Sequence, residues 1–187
     1  MHKTFISDEV ISRAKKIKVV FFDVDGVMTD VGLMIGDDGQ EYKTFHSHDG
    51  LGMKLLNRTT VEMAIITGRT SEVVKTRAKT NGIKYLYQGI EDKLETFNDL
   101  ISKLGAKAEQ AAFMGDDIVD IPPMLSCGLA IAVPAAHDTV KDRAHYVTTK
   151  EGGKGAVREV CEVIMHAQGT YDEVTANYFN PPKIGSY

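Results

Sequence analysis

The stretch that decides the fold is Ile17-Lys18-Val19-Val20-Phe21-Phe22-Asp23-Val24-Asp25-Gly26-Val27. It opens with a short run rich in β-branched and aromatic side chains, which ends in two acidic residues and a glycine. This pattern is typical of a buried strand that feeds a loop. The two aspartates are therefore expected where the strand ends.

Working outward from this strand, four more runs have the same character, at residues 61–66, 85–87, 111–114 and 129–133. Residues 146–148 are a possible sixth strand at an edge. Between the strands, helical apolar spacing occurs at residues 71–80, 93–104, 118–126 and 155–167. Strands that alternate with helices predict a parallel sheet with right-handed crossovers. The expected fold class is α/β, a Rossmann-like three-layer sandwich with a mostly parallel sheet.

Two segments depart from this alternation. Short strand-like runs flank Gly36-Asp37-Asp38-Gly39, which predicts an antiparallel hairpin flap over about residues 31–46. Residues 171–187 lose their periodicity and carry Pro181-Pro182, so we expect an irregular tail there. The whole chain, residues 1–187, is expected to form one domain.

Composition narrows the class of function. The chain has 187 residues, a net charge of -4 and 43% hydrophobic residues, as an ordinary globular protein does. It lacks the basic surplus that would favour a nucleic-acid partner. It also lacks an apolar run of the length that crosses a membrane. We expect a cytoplasmic protein that acts on a small molecule.

Polar side chains follow the predicted strands at the edge where an open α/β sheet binds its ligands. They belong to Asp23, Asp25, Thr67, Arg69, Lys93, Asp116, Asp117 and Asp120. Carboxylates crowded together raise one another's pKa values unless a cation holds them, and such hard oxygen ligands suit Mg²⁺.

A phosphoryl group fits an edge of this kind. Mg²⁺ and the Lys93 ammonium can neutralise its oxygens, while Thr67 and backbone N–H groups donate hydrogen bonds. A carboxylate can then attack phosphorus, and the covalent intermediate splits one difficult hydrolysis into two easier steps. Each residue taken alone has a simpler interpretation, as a turn, a helix cap or a solvated charge.

Four motifs in this order resemble those of the haloacid dehalogenase superfamily of phosphotransferases. They are Asp23-Val24-Asp25-Gly26-Val27, Ile65-Ile66-Thr67-Gly68-Arg69, Lys93 and Gly115-Asp116-Asp117-Ile118-Val119-Asp120. Each motif alone is a weak signal, but four in order are a strong one.

The resemblance implies that Asp23 is the nucleophile and a metal ligand. Asp25 would be the general acid and then the general base, and its backbone carbonyl would bind Mg²⁺. Asp116 would be the third protein ligand. The remaining implied roles are catalytic for Thr67 and Lys93, and supporting for Gly68, Asp117 and Asp120.

A closer resemblance follows from what is missing between Asp25 and Thr67, where the hairpin and one helix leave no room for a cap domain. Over residues 17 to about 173 the chain is similar to the capless 3-deoxy-D-manno-octulosonate 8-phosphate phosphatases. The supporting stretches are residues 45–52, 85–89, 116–122, 152–161 and 167–169. This family implies a homotetramer whose flaps cover neighbouring sites, and a step in making lipopolysaccharide precursors.

Matched to this family, the substrate contacts would be Asp25, His46, Ser47, His48, Asp49, Gly50, Lys54, Arg69, Arg77 and Lys93. Two positions depart from its pattern, because His48 and Lys54 stand where arginine is expected. Arginine binds a carboxylate through a bidentate fork, whereas lysine is a point charge and histidine is only partly charged. The pair His46 and His48 can also be read as surface histidines or as a transition-metal pair.

Three hypotheses follow. The first is hydrolysis of 3-deoxy-D-manno-octulosonate 8-phosphate with Mg²⁺ as cofactor. The second keeps the chemistry but takes a nonulosonate 9-phosphate as substrate. The third is a non-catalytic domain that regulates a cytidylyltransferase.

Overall fold

The opening stretch forms the centre of a six-stranded sheet in the computed structural model, which describes residues 6–179. The central strand β1 (Val19–Phe22) lies between two parallel neighbours, and all four of its residues are fully buried. Both faces of the sheet are therefore covered, as the predicted three-layer sandwich requires. The fold class expected from the sequence is confirmed.

After β1, two short strands form a separate hairpin, β2 (Met34–Ile35) and β3 (Glu41–Tyr42). The remaining strands of the six-stranded sheet match the predicted runs closely. They are β4 (Glu62–Ile66), β5 (Tyr85–Tyr87), β6 (Ala111–Gly115), β7 (Leu129–Ala132) and β8 (Tyr146–Val147). The order across the sheet is β5-β4-β1-β6-β7-β8, with every pair parallel, so the strand order reverses direction at β1.

The helices cover the two faces. In the described residues they are α1 (Asp8–Ala14), α2 (Ser47–Leu56), α3 (Glu72–Thr80), α4 (Lys93–Lys103), α5 (Ile121–Ser126), α6 (Asp138–Lys141), α7 (Ala156–Gln168) and α8 (Tyr171–Phe179). The predicted helix at residues 118–126 is a 3-10 turn that continues into α5. The short helices α1 and α6 were not predicted. None of the helices between residues 6 and 179 has the length and apolar character needed to cross a membrane.

The tail is where the sequence prediction was wrong. Residues 171–179 form α8 rather than an irregular segment, because contacts with residues outside this segment hold them. The Tyr171 ring stacks on His166 of α7 with centroids 4.0 Å apart, and Arg58 donates to the Val174 carbonyl oxygen at 3.1 Å. The hydrophobic periodicity of a segment does not indicate contacts of this kind. Pro181-Pro182 and the rest of residues 180–187 lie outside the described residues.

The predicted hairpin is present and exposed. Its strands pair antiparallel across the glycine-containing turn, and Met34 and Ile35 are 67% and 57% exposed. Within the described residues, only this hairpin and α2 separate β1 from β4, so no cap domain stands over the sheet.

A glycine pair after β8 fixes the loop that follows β1. The N–H of Gly153 donates to the Val27 carbonyl oxygen at 3.0 Å, and a Cβ on Gly152 would overlap the carbonyl oxygen of Gly26. The segment that leads from β8 to this glycine pair is held by Glu159, whose carboxylate accepts a hydrogen bond from the N–H of Thr149. The loop that carries Asp25 therefore depends on two backbones in direct contact.

Replacing Gly152 with alanine should lower the free energy of unfolding by at least about 2 kcal/mol, since backbone cannot move aside for a methyl group as a side chain can. Gly105→Ala is the control, because its φ is +61° but no atom lies within 4 Å of its Cβ position. Its cost should be about 1 kcal/mol, from backbone conformation alone. Urea unfolding of both variants measures the difference, and equal losses would contradict this account.

Candidate active site

Three adjacent strands bring the predicted acidic and hydroxyl residues to one edge of the sheet. Asp23 follows β1, Thr67 follows β4, and Asp116 follows β6, and all three side chains are buried. The Asp23 N–H donates to the Met114 carbonyl oxygen at 3.0 Å, which continues the β1–β6 ladder to the site. This edge coincides with the reversal of strand order, where open α/β sheets bind ligands.

Lys93 lies at the first position of α4 and points its ammonium into this edge. Its Nζ is 2.9 Å from Asp23 Oδ1 and 2.6 Å from Asp120 Oδ1, and its side chain is only 3% exposed. Asp92 caps the helix by accepting from the N–H groups of Leu94 and Glu95. A buried ammonium requires paired carboxylates, so the three side chains fix one another.

Asp120 organises the loop after β6. Its Oδ2 accepts hydrogen bonds from the N–H of Asp116 at 3.0 Å and of Asp117 at 3.3 Å, while Oδ1 pairs with Lys93. A Cβ on Gly115 would lie within 2.6 Å of this carboxylate, so glycine is required there. Asp117 is exposed, and its carboxylate accepts from the Ile118 N–H at 2.7 Å.

The carboxylates form a cluster that suits a cation. Oxygens of Asp23, Asp116 and Asp120 lie within 4.8 Å of one another. Burial and the charge of Asp120 raise the pKa of Asp23 to about 7, although Lys93 opposes this shift. Burial and the charges of Asp23 and Asp120 likewise raise the pKa of Asp116 to about 7. A divalent cation would relieve this repulsion, and carboxylate oxygens are the ligands that Mg²⁺ prefers.

The cluster differs in one member from the ligand set that the family resemblance implies. That set contains Asp25 through its backbone carbonyl, whereas the side-chain cluster contains Asp120. Both oxygens of Asp120 already accept hydrogen bonds, from Lys93 and from two backbone N–H groups. Asp23 and Asp116 are therefore better placed to bind a cation directly, and Asp120 to support them.

Asp25 makes a contact that the sequence analysis missed. Its Oδ1 is paired with Nζ of Lys43, on the flap, and Lys43 also pairs with Glu41 at 2.6 Å. The other oxygen of Glu41 pairs with Arg69. Burial would lower the pKa of Lys43, but its hydrogen bonds to Asp25 and Glu41 outweigh burial and raise it. The two-residue spacing of positions 41 and 43, which puts both on one face of a strand, was the available signal.

A cavity of about 510 Å³ opens above these residues. Predicted site residues that line it are Asp23, Asp25, Thr67, Gly68, Arg69, Lys93, Asp116 and Asp117. Val31 and Leu33 from the flap, Ile90 and Val119 supply an apolar rim. The structure thus brings the four predicted motifs into a single cavity.

The other predicted substrate contacts do not line this cavity in the described part of the chain. Ser47, His48 and Lys54 are exposed on α2. The His46 carbonyl oxygen accepts a hydrogen bond from Arg77 Nη2 at 2.8 Å, and the Arg77 guanidinium lies 5.4 Å from the ring centroid of Phe45.

Asp49 and Gly50 belong to this second group and are buried at the start of α2. Asp49 Oδ1 accepts from the Arg158 N–H at 2.7 Å, and burial raises the pKa of the Asp49 carboxyl. A Cβ on Gly50 would lie 2.7 Å from Arg77 Nη2, so glycine gives the arginine room. Asp49 and Gly50 thus bring the start of α2 against α7 and α3.

Comparison with known proteins agrees with the fold. A sequence model of haloacid dehalogenase-like hydrolases matches residues 65–160. The chain belongs to this family.

Phosphatases of one branch of that family are similar to most of the chain. The chain is 44% identical over 170 residues to the 3-deoxy-D-manno-octulosonate 8-phosphate phosphatase KdsC of Yersinia pestis, and the match covers 91% of each protein. It is 45% identical over 168 residues to that of Escherichia coli strain K12, covering 90% of this chain and 89% of the other. The closer resemblance expected from the sequence is confirmed.

A solved structure with bound ligands has the same fold. The Moraxella catarrhalis 3-deoxy-D-manno-octulosonate 8-phosphate phosphatase was crystallised in complex with a magnesium ion, a phosphate ion and a KDO molecule. It superimposes with a TM-score of 0.90 at 40% identity, covering 92% of this chain and 99% of that one.

The raised pKa values of Asp23 and Asp116 predict how stability depends on pH and metal. Their ordinary value is 3.8, so the folded metal-free protein holds protons that the unfolded chain releases. Their contribution to stability is greatest below about pH 4 and is lost as pH rises through about 7. Because Mg²⁺ binds the ionised carboxylates, it should raise the Tm by several degrees at about pH 8 and by much less at about pH 5.

Thermal unfolding in EDTA and in Mg²⁺ at the two pH values measures this effect. In Asp116→Asn the shift caused by Mg²⁺ should be largely lost at both values. An equal Mg²⁺ shift at both pH values in the unmodified protein would count against the pKa assignment.

Proposed function

We propose that this protein is a magnesium-dependent phosphomonoesterase that hydrolyses 3-deoxy-D-manno-octulosonate 8-phosphate to the free sugar acid and phosphate. The observation that carries the proposal is the buried Lys93 ammonium, held between Asp23 and Asp120 at the floor of a cavity that also contains Asp25, Thr67 and Asp116. The relatives with this name support the choice of substrate. The product would feed the making of lipopolysaccharide precursors.

In the first half of the reaction, an oxygen of Asp23 forms a bond to phosphorus as the bond from phosphorus to the sugar oxygen breaks. Lys93 orients Asp23 and, with the Thr67 hydroxyl and the Gly68 N–H, binds the phosphoryl oxygens. Asp25 donates its proton to the departing sugar oxygen. Mg²⁺, held by Asp23, Asp116 and the Asp25 backbone carbonyl, would supply positive charge to the phosphoryl group.

In the second half, water attacks the phosphorus of the aspartyl-phosphate, and Asp25 takes the proton from that water. The bond from phosphorus to Asp23 breaks, which releases phosphate and restores both carboxyl groups. This double role requires Asp25 to reach the reacting oxygens, and its half-buried side chain lines the cavity. The presence of all the residues that this reaction requires argues against a non-catalytic regulatory domain.

Recognition of the sugar acid needs cations beyond the phosphate subsite. Arg69 lines the cavity with its side chain 45% exposed, and we assign it to the substrate carboxylate. A second subunit would supply the remaining walls, since no cap domain covers the cavity within residues 6–179. In a homotetramer the substrate contacts expected at residues 46–50, Lys54 and Arg77 would serve a neighbouring site.

Asp23→Asn should lower the rate of phosphate release by at least about 1,000-fold, because an amide is a poor nucleophile and no covalent intermediate can form. Phosphate release from 3-deoxy-D-manno-octulosonate 8-phosphate in Mg²⁺ measures this. Asp99→Asn, on the exposed side of α4, is the matched control and should keep full activity. Turnover retained by Asp23→Asn would refute the role of Asp23.

The same assay with a nonulosonate 9-phosphate tests the substrate. This second substrate is considered because His48 and Lys54 occupy positions where the family pattern has arginine. A higher kcat/KM on the nonulosonate would overturn our choice. Release from neither compound would favour the regulatory domain.

The exposed apolar flap predicts the assembly. Val31, Met34 and Tyr42 are 65%, 67% and 51% exposed, which is costly unless another surface covers them. Light scattering should give four times the chain mass of 20.5 kDa. Met34→Glu should dissociate the tetramer and lower kcat/KM about tenfold or more, because a buried charge opposes association. A monomeric mass for the unmodified protein would refute the shared site.

A further inference from the structure

A chain of ion pairs joins two residues of the cavity lining, Asp25 and Arg69, and Arg69 is the cation assigned to the substrate carboxylate. Arg69 pairs with Glu41, Glu41 pairs with Lys43, and Lys43 pairs with Asp25. Glu41 and Lys43 both belong to the flap segment, and neither was singled out by the sequence motifs. The guanidinium that should receive a substrate is therefore already engaged by a carboxylate of the same chain.

The pairing between Glu41 and Arg69 has the features of a replaceable contact. Nε and Nη2 of Arg69 both donate to the single oxygen Oε2 of Glu41, with Nε at 3.2 Å. A free carboxylate can instead accept two parallel hydrogen bonds, one on each oxygen, which is the stronger arrangement. The arginine is also 45% exposed, and exposed ion pairs are weak.

Glu41 does not need to leave the site for this exchange. Its Oε1 is 2.6 Å from Lys43 Nζ, and the Lys43 side chain is only 3% exposed. Because a buried ammonium keeps its carboxylate partners, Lys43 would hold Glu41 after Arg69 turns to a ligand.

We propose that Glu41 is a specificity-determining residue that occupies Arg69 as an internal stand-in for the substrate carboxylate. This inference rests on the proposed function, because it concerns recognition of an acidic sugar phosphate. A ligand with a carboxylate displaces Glu41 and gains the bidentate contact. A neutral sugar phosphate leaves Glu41 and Arg69 paired and gains nothing from the arginine.

The test compares two open-chain ligands that differ only at C1, which is a carboxylate in 6-phosphogluconate and a hydroxymethyl group in sorbitol 6-phosphate. Binding is measured by titration calorimetry in Mg²⁺, with every variant made in an Asp23→Asn background so that neither ligand is hydrolysed. Glu41→Gln removes the competing charge, so the Kd of 6-phosphogluconate should fall about 5-fold more than that of sorbitol 6-phosphate. Taking this ratio cancels the general gain that any anion obtains from losing a negative charge.

Two further variants make the result specific. In an Arg69→Met background, Glu41→Gln should no longer change the ratio, since the two residues act as one unit. Glu62→Gln breaks the comparable exposed pair of Glu62 with Lys84, on β4 but outside the cavity lining, and should leave both ligands unaffected.

An unchanged ratio, or a change that persists without Arg69, would overturn the proposal, and so would failure of both ligands to bind. These outcomes are separate from the proposed function, which is tested by phosphate release by the unmodified protein from the octulosonate and nonulosonate substrates.

Discussion

The site depends on one buried charge, the Lys93 ammonium between Asp23 and Asp120. An ammonium out of water needs carboxylate partners, and here the partners come from loops that are far apart in sequence. Asp120 in turn orients the backbone N–H groups of Asp116 and Asp117. The first helical residue of α4 thus fixes Asp23 and the acidic loop together. Without that cation, three buried carboxylates would face one another with no compensation inside the protein.

Much of the fold could be predicted because its signals are local. The buried strands read as apolar runs on both faces, and the glycines and acidic residues that follow them mark the ends of β1 and β6. The rule that ligands bind where strand order reverses then gathers Asp23, Thr67 and Asp116 without any knowledge of side-chain positions. The motif residues of the cavity could be predicted for the same reason.

What could not be predicted depends on contacts between distant segments. The helix at residues 171–179 is held by Arg58 and His166, and nothing in its own pattern announces it. Lys43 looks like an ordinary flap lysine until Asp25 and Glu41 close around it. The place of Arg77, under the His46 carbonyl instead of in the cavity, likewise follows from how α3 packs against the start of α2.

The position of β1 between β4 and β6 has a consequence for how such a site can evolve. Neighbouring strands are about 4.8 Å apart, and hydrogen bonds of the backbone keep them so. The sheet therefore sets the spacing of the side chains that follow its strands and, under the proposed function, surround the phosphoryl group. This spacing does not depend on the sugar attached to that group. Under the proposed role of Glu41, selectivity resides in the hairpin and its ionic contacts, which no hydrogen bond of the main sheet constrains. Changes in the hairpin could then alter the substrate that is bound, while the strand spacing keeps the reacting groups in the same arrangement.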